Sequence, residues 1–126
     1  MSVGIYYCAK RDRQINDAER AAVDSAIAEY AVEDKIEEYF KTGDGPNWES
    51  FTEYELTDDD HADRVIFHGG TRLPDSSYED FETGVRHWCE LLTGVRRKLH
   101  DAEWRVSVDD VPVNWDDKHQ MYTPPV

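Results

Sequence analysis

Basic side chains are scarce in this chain of 126 residues, which has 14 Lys and Arg against 28 Asp and Glu and a formal net charge of −14. Proteins that bind nucleic acids or anionic membranes neutralise phosphate groups with lysine and arginine. The acidity therefore argues against both kinds of partner and favours a basic protein, whose encounter a negative field accelerates. Residues 1–63 carry 17 acids and 6 bases, net −11, whereas residues 64–126 carry 11 acids and 8 bases, net −3. A competing interpretation is that the charge suits a high-salt cytoplasm and marks no site.

Cysteines and long apolar runs are also few. Cys8 and Cys89 do not suffice for a disulfide framework and are expected to be reduced. No stretch approaches the ~20 apolar residues of a membrane span. The apolar start of the chain lacks a preceding basic region and runs directly into Lys10, so it predicts a first strand and not an export signal. These features predict a single cytoplasmic domain over residues 1–126, a length near the commonest domain size.

Apolar spacings of three and four residues predict helices over about 17–30, 33–41 and 78–99. Asn16 and Glu19 form a capping-box pattern at the start of the first helix, and Gly43 is a typical stop for the second. Ser76 and Glu79 form a capping-box pattern at the start of the third helix, which has the most regular apolar spacing in the chain.

Alternation of apolar and polar residues predicts strands near 3–9, 50–56, 64–68 and 103–108, with a short edge strand near 111–115. The acidic run 57–63 is predicted to connect two of these strands as a hairpin turn. Gly69 and Gly70 are predicted to end the third strand. The C-terminal residues 116–126 are expected to form either a short edge hairpin or a loose tail.

This order of elements predicts an α+β, ferredoxin-like βαββαβ fold, with two helices on one face of an antiparallel sheet and an extra C-terminal edge strand. The opposite face of the sheet would be left open, with Tyr6, Cys8 and Phe51 on it. An open face of this kind is a candidate site for a ligand, a partner or a second copy of the chain. Many unrelated functions use the fold, so function has to be argued from particular residues.

No spacing in the sequence predicts a catalytic, metal or cofactor site. The run from Asp58 to Asp63 lacks the glycine and the distal glutamate of a calcium-binding EF-hand loop, and is expected to be a solvated turn. His87 and Cys89 are two residues apart on a helix and point in different directions. Cys89 borders the apolar stripe and is expected to be a small buried hydrophobe. The sequence therefore favours a non-enzymatic protein without metal or cofactor.

Two tryptophans with acids nearby, Trp48 and Trp115, predict a protein-binding surface, because tryptophan anchors interfaces and carboxylates pair with lysine and arginine. The predicted partner-binding residues lie mostly in the acidic half of the chain: Asp44, Trp48, Glu49, Glu53, Glu55, Asp58, Asp59, Asp60 and Trp115. The alternative is that each tryptophan folds back to cover the core.

Two functional hypotheses follow. The first is an acidic binding module that docks a basic protein; small inhibitors that neutralise nucleases, such as bacterial immunity proteins and antitoxins, are similar in size and charge. The second is a homodimer that binds a small molecule, or catalyses a reaction, at the open sheet face. The residues expected to line that pocket are Tyr6, Cys8, Tyr54, His68 and Trp104.

Overall fold

The computed structural model describes residues 2–125, which form an α+β arrangement of an antiparallel sheet, four helices and a separate hairpin. The strands are β1 Gly4–Lys10, β2 Val65–Arg72, β3 Glu103–Val108, β4 Val111–Pro112, β5 Asn114–Asp116 and β6 Met121–Thr123. The helices are α1 Asp17–Glu29, α2 Glu33–Thr42, α3 Asp58–Ala62 and α4 Tyr78–Lys98.

The central strand of the main sheet is β1, whose neighbours β2 and β3 both run antiparallel to it in the order β2-β1-β3-β4. Tyr7 of β1 lies opposite Gly69 of β2 and Val106 of β3. Because side chains alternate along a strand, Ile5, Tyr7 and Ala9 share one face, and all three are buried. This alternation confirms the facing predicted for the first strand.

Helix α4 supplies much of the core beneath that face. Five of the six residues in its predicted apolar stripe are buried, and the sixth, Phe81, packs against the core partly exposed. The five buried residues are Val85, Trp88, Leu92, Val95 and Leu99. A buried stripe of this length holds the helix against the sheet, because each large apolar side chain removed from water contributes roughly 1.5–3 kcal/mol.

Two of the predicted helix ends are confirmed and one is shifted. Asn16 and Glu19 form the reciprocal capping box that starts α1, and Gly43 ends α2 in the left-handed conformation with φ 72°. At α4 the N-cap is Ser77, which accepts a hydrogen bond from the backbone N–H of Asp80. Ser76 instead donates its hydroxyl to the Asp80 carboxylate.

The segment 50–56 does not form the regular strand that the sequence predicts. It makes one isolated bridge, between Glu53 and Gly69 of β2. One backbone hydrogen bond to β2 accompanies this bridge, from the Tyr54 N–H to the His68 carbonyl. At Thr52 side chains bind the backbone, because the Thr52 N–H donates to the Thr71 hydroxyl and the Thr52 carbonyl accepts from the Tyr7 hydroxyl. The main sheet does not include the segment, so the strand order differs from a simple βαββαβ pattern.

Two further predictions about turns were wrong. The acidic run 57–63 contains the helix α3, which begins at a capping box formed by Thr57 and Asp60, and not a hairpin turn. Strand β2 continues through Gly69 and Gly70 to Arg72. The reason is that tyrosine rings occupy the space that side chains at the two glycines would fill, so the pleat remains packed.

The C-terminal segment forms the hairpin β5–β6 and not a loose tail. Tyr122 of β6 is buried against α4, where its N–H donates to the Thr93 hydroxyl. The Arg96 guanidinium of α4 lies 4.1 Å from the centre of the Trp115 ring. The hairpin is therefore attached to the last helix by both apolar and cation–π contacts.

Candidate functional site

The strongest concentration of unpaired charge lies beside the outer edge of β2. We call residues 53–63, which comprise the end of the irregular segment and helix α3, the acidic edge. Four of its carboxylates are exposed and have no side-chain hydrogen bond or ion pair with other groups in residues 2–125: Glu55, Asp58, Asp59 and Asp63. Carboxylates this close in sequence repel one another, and a cationic partner would relieve that repulsion.

Two other acids of this edge already have internal roles. Glu53 makes a two-pronged ion pair with Arg20 of α1, with both N–O distances at 2.8 Å. Asp60 accepts a hydrogen bond from the Thr57 N–H at 2.9 Å, and this bond is the main cause that lowers the pKa of the Asp60 carboxyl. Both acids therefore serve the local structure and are less available to a partner than their exposed neighbours.

Two tyrosines, Tyr54 of the acidic edge and Tyr6 of β1, lie on the uncovered face of the sheet. Tyr6 is 48% exposed and Tyr54 is 45% exposed. A Cβ atom at Gly70 would lie 2.7 Å from the Tyr54 hydroxyl and 2.8 Å from a ring carbon of Tyr6, so the glycine allows both rings to lie over β2. Exposed tyrosines beside unpaired carboxylates are typical components of protein interfaces. Both residues were predicted to line the open sheet face, but neither was among the predicted partner-binding residues of the acidic half.

The predicted tryptophan anchors occupy other positions. Trp48 is only 7% exposed and packs edge-to-face against Trp88 and His87, so it covers the core and cannot serve as a surface anchor. Trp115 is half-buried between Arg96 and Tyr122 on the C-terminal hairpin. Both positions fit the alternative prediction, in which each tryptophan folds back to cover the core.

The remaining predicted acids are dispersed. Asp44 is exposed in the loop that follows α2. Glu49 lies 3.4 Å from the guanidinium of Arg72, at the far end of β2. The fold therefore brings together only the predicted acids that are close in sequence, from Glu53 to Asp60.

The uncovered sheet face also carries a thiol and an imidazole. Cys8 lies directly opposite His68 in the register of β1 and β2, and the edge of the Tyr54 ring faces His68. The Nε2 atom of His68 is buried without a hydrogen-bond partner, although an oxygen of Asp60 lies 3.4 Å away. Burial raises the pKa of the Cys8 thiol, while Lys10 and Arg105 act in the opposite direction.

Two other residues named for possible chemistry have contacts with the interior. Trp104 packs against Phe67 and donates its indole N–H to the Leu99 carbonyl, and it also lines a small cavity together with Cys8. Cys89 is buried, and this burial raises the pKa of its thiol to about 12. It is the small core residue that the sequence predicts.

Within residues 2–125 there is no group of three or more His, Cys, Asp or Glu side chains arranged to hold a metal ion. None of the helices in the same part of the chain has both the length and the apolar character needed to cross a bilayer. No protein-family model matches the chain, and neither the curated proteins nor the solved structures compared with it give a match.

Proposed function

We propose that the chain is a non-enzymatic, cytoplasmic binding module that docks a basic protein, in the manner of an inhibitor, immunity protein or antitoxin. The observation that carries this proposal is the acidic edge, which combines four unpaired carboxylates with the exposed Tyr54, and Tyr54 lines one cavity together with Tyr6. The tyrosine rings would supply apolar contact area at the centre of the interface, and the carboxylates would steer and pair with lysine and arginine.

Reversal of the charge at this edge tests the proposal. We expect a variant with Glu55→Lys, Asp58→Lys and Asp59→Lys to recover its basic partner from lysate at moderate salt at least about tenfold less well, equivalent to about 1.4 kcal/mol. The variant replaces attraction to a basic partner with repulsion at three exposed positions. For the unmodified chain, recovery of the partner should fall as the salt concentration rises. The measurement is recovery of the captured protein, followed by titration of the purified pair.

The matched control makes the same change in net charge on a different helix, with Glu33→Lys, Asp34→Lys and Glu38→Lys in α2. These residues are exposed, and two of them lie in the first turn of their helix, as Asp58 and Asp59 do in α3. Equal losses in the two variants would show that overall charge and not the acidic edge determines binding. Unchanged recovery after reversal of the edge would reject the proposal.

A second candidate function rests on the uncovered sheet face. We propose as the alternative that the chain forms a homodimer through this face and encloses a small ligand or substrate there. The supporting observation is the Nε2 atom of His68, which is buried and has no hydrogen-bond partner, although buried polar atoms normally have one. His68 lies opposite Cys8 on the neighbouring strand. A bound ligand or the second copy would supply the hydrogen-bond partner once the Tyr54 ring or the Asp60 carboxylate, which lie against His68, moves aside.

Sedimentation over a range of protein concentrations tests this alternative. We expect a dimer that Tyr6→Asp dissociates, because a carboxylate at the centre of an apolar contact would lose its water. Tyr78→Asp is the control, since Tyr78 is exposed on α4, away from the sheet face. A chain that stays monomeric at every concentration would exclude this function.

We also propose that the fold is a ferredoxin-like βαββαβ arrangement in which the second strand is reduced to one bridge. Segment 50–56 runs antiparallel beside β2, and β2 and β3 flank β1. These neighbours are the ones that such a fold requires.

A further inference from the structure

A groove lies on the outer side of the helices, away from the main sheet. It has a volume of about 680 Å³ and lies between α1, α4 and the hairpin strand β6. Its lining includes Ala26, Cys89, Gly94, Met121 and Tyr122. Small-molecule sites in proteins commonly have volumes of about 300–1,000 Å³ and mostly apolar linings.

One residue of this lining, Gly94, has no side chain to occupy the groove. Gly94 lies inside the 21-residue helix α4, where glycine costs roughly 1 kcal/mol relative to alanine. A Cβ atom at this position would meet no atom within 4 Å, so local packing does not require glycine there. The position therefore costs helix stability without any compensating contact in the structure.

The charges at the rim of the groove are unequal in their availability. Arg97 donates to the Gln120 carbonyl at 2.8 Å, and Arg86 lies 3.7 Å from Glu82. Glu29 and Glu90 have no ion pair with any group in residues 2–125. Arg97 also has no ion pair with any of these residues, because a backbone carbonyl does not neutralise a guanidinium, so two free carboxylates outnumber one free guanidinium in a chain whose net charge is −14.

Both free carboxylates line the groove together with the Tyr30 side chain. Burial raises the pKa of Tyr30, and the charges of Glu90 and Glu29 contribute in the same direction. An aromatic ring flanked by two carboxylates is suited to an ammonium group, through ion pairing and cation–π attraction.

We propose that this groove binds a small hydrophobic amine, with its apolar body over Gly94 and Met121 and its ammonium group between Glu29 and Glu90. The site shares no residue with the acidic edge or the uncovered sheet face. The proposal therefore does not depend on either proposed function, and its failure would leave both intact.

Three related indoles of equal ring size test the charge preference. Tryptamine is cationic, tryptophol is neutral and indoleacetate is anionic at neutral pH. We expect titration with tryptamine to shift the NMR signal of the Met121 methyl group and to saturate at the lowest concentration of the three. Equal affinity for tryptamine and indoleacetate would overturn the proposal, as would the absence of any shift at Met121.

Variants locate the site. Glu29→Gln with Glu90→Gln should weaken tryptamine binding about tenfold, as expected for two partly exposed ion pairs, while Glu38→Gln on α2 should have no effect. Gly94→Leu should abolish binding by filling the groove.

Gly94→Ala separates filling of the groove from damage to the fold. It should raise the midpoint of thermal unfolding, because alanine is the better helix former, and should retain tryptamine binding. Binding that survives Gly94→Leu in a folded protein would overturn the proposal. If Gly94→Leu does not fold, the variant with Glu29→Gln and Glu90→Gln decides. It should no longer prefer tryptamine to indoleacetate, and an unchanged preference would overturn the proposal.

Discussion

The Gly69→Ala variant is expected to lose about 3 kcal/mol of its free energy of unfolding, at the upper end of the usual cost of overpacking. A Cβ atom at Gly69 would lie 2.0 Å from the backbone oxygen of Thr52 and 2.5 Å from a ring carbon of Tyr7. The backbone oxygen cannot turn aside as a side chain can, so segment 50–56 would have to leave the edge of β2. Urea denaturation followed by circular dichroism measures the loss.

The adjacent glycine provides the control for this prediction. A Cβ atom at Gly70 would meet only the side chains of Tyr6 and Tyr54, which are about half exposed and can rotate away. Gly70→Ala should therefore cost about 1 kcal/mol, near the low end of overpacking. Similar costs for the two alanine variants would contradict the role assigned to the close backbone approach at Gly69.

A second large effect is expected at Arg11, which is only 5% exposed. Its guanidinium contacts Glu19 at 2.6 Å and Asp101 at 2.7 Å, and its Nε donates to the Arg13 carbonyl. These contacts join the end of β1, the first turn of α1 and the turn after α4. Arg11→Met keeps an unbranched apolar stem but removes the guanidinium, and should cost about 2 kcal/mol at neutral pH, as for the loss of hydrogen bonds to charged groups.

The cost of Arg11→Met should depend on pH. The hydrogen bonds from Arg11 are the main cause that lowers the pKa of Glu19 from 4.5 to about 2 in the folded chain. A carboxyl with a lowered pKa stabilises the fold fully above its unfolded pKa, and this stabilisation is lost as pH falls through the folded value. The difference in the free energy of unfolding between Arg11→Met and the unmodified chain should therefore have its full size above about pH 4.5 and become smaller toward pH 2.

Arg13 offers a matched control, because it contacts the same two carboxylates from a position that is 57% exposed. Arg13→Met should cost less than about 1 kcal/mol, since water screens an exposed pair. If Arg13→Met costs as much as Arg11→Met, or if the Arg11→Met difference does not change between pH 7 and pH 2, the ion-pair explanation fails.

Features of the fold with a strong local pattern were predictable. The apolar spacing of α4, the alternation in β1 and the capping box at Asn16 each depend on residues within a few positions of one another. The acids from Glu53 to Asp60 were placed together for the same reason. Contacts close in sequence survive in almost any tertiary arrangement, so composition and spacing suffice to identify them.

Other features could not be predicted because distant residues decide them. Segment 50–56 alternates like a strand, but Tyr7 and Thr71 bind its backbone and reduce its pairing to one bridge. In the sequence Gly69 and Gly70 are typical of a turn, but in the structure the tyrosines of β1 lie against them. From the sequence Trp48 was predicted to anchor a partner at the surface, but in the structure it packs against Trp88.

The sequence by itself determined the α+β composition, the three longer helices, the buried face of β1 and the excess of negative charge. Tertiary structure alone decided which aromatic rings are exposed, which carboxylates remain unpaired and where the cavity lies. The physical reason is that exposure and pairing are properties of contacts between segments far apart in the chain. Such contacts depend on how the helices, the sheet and the hairpin pack together.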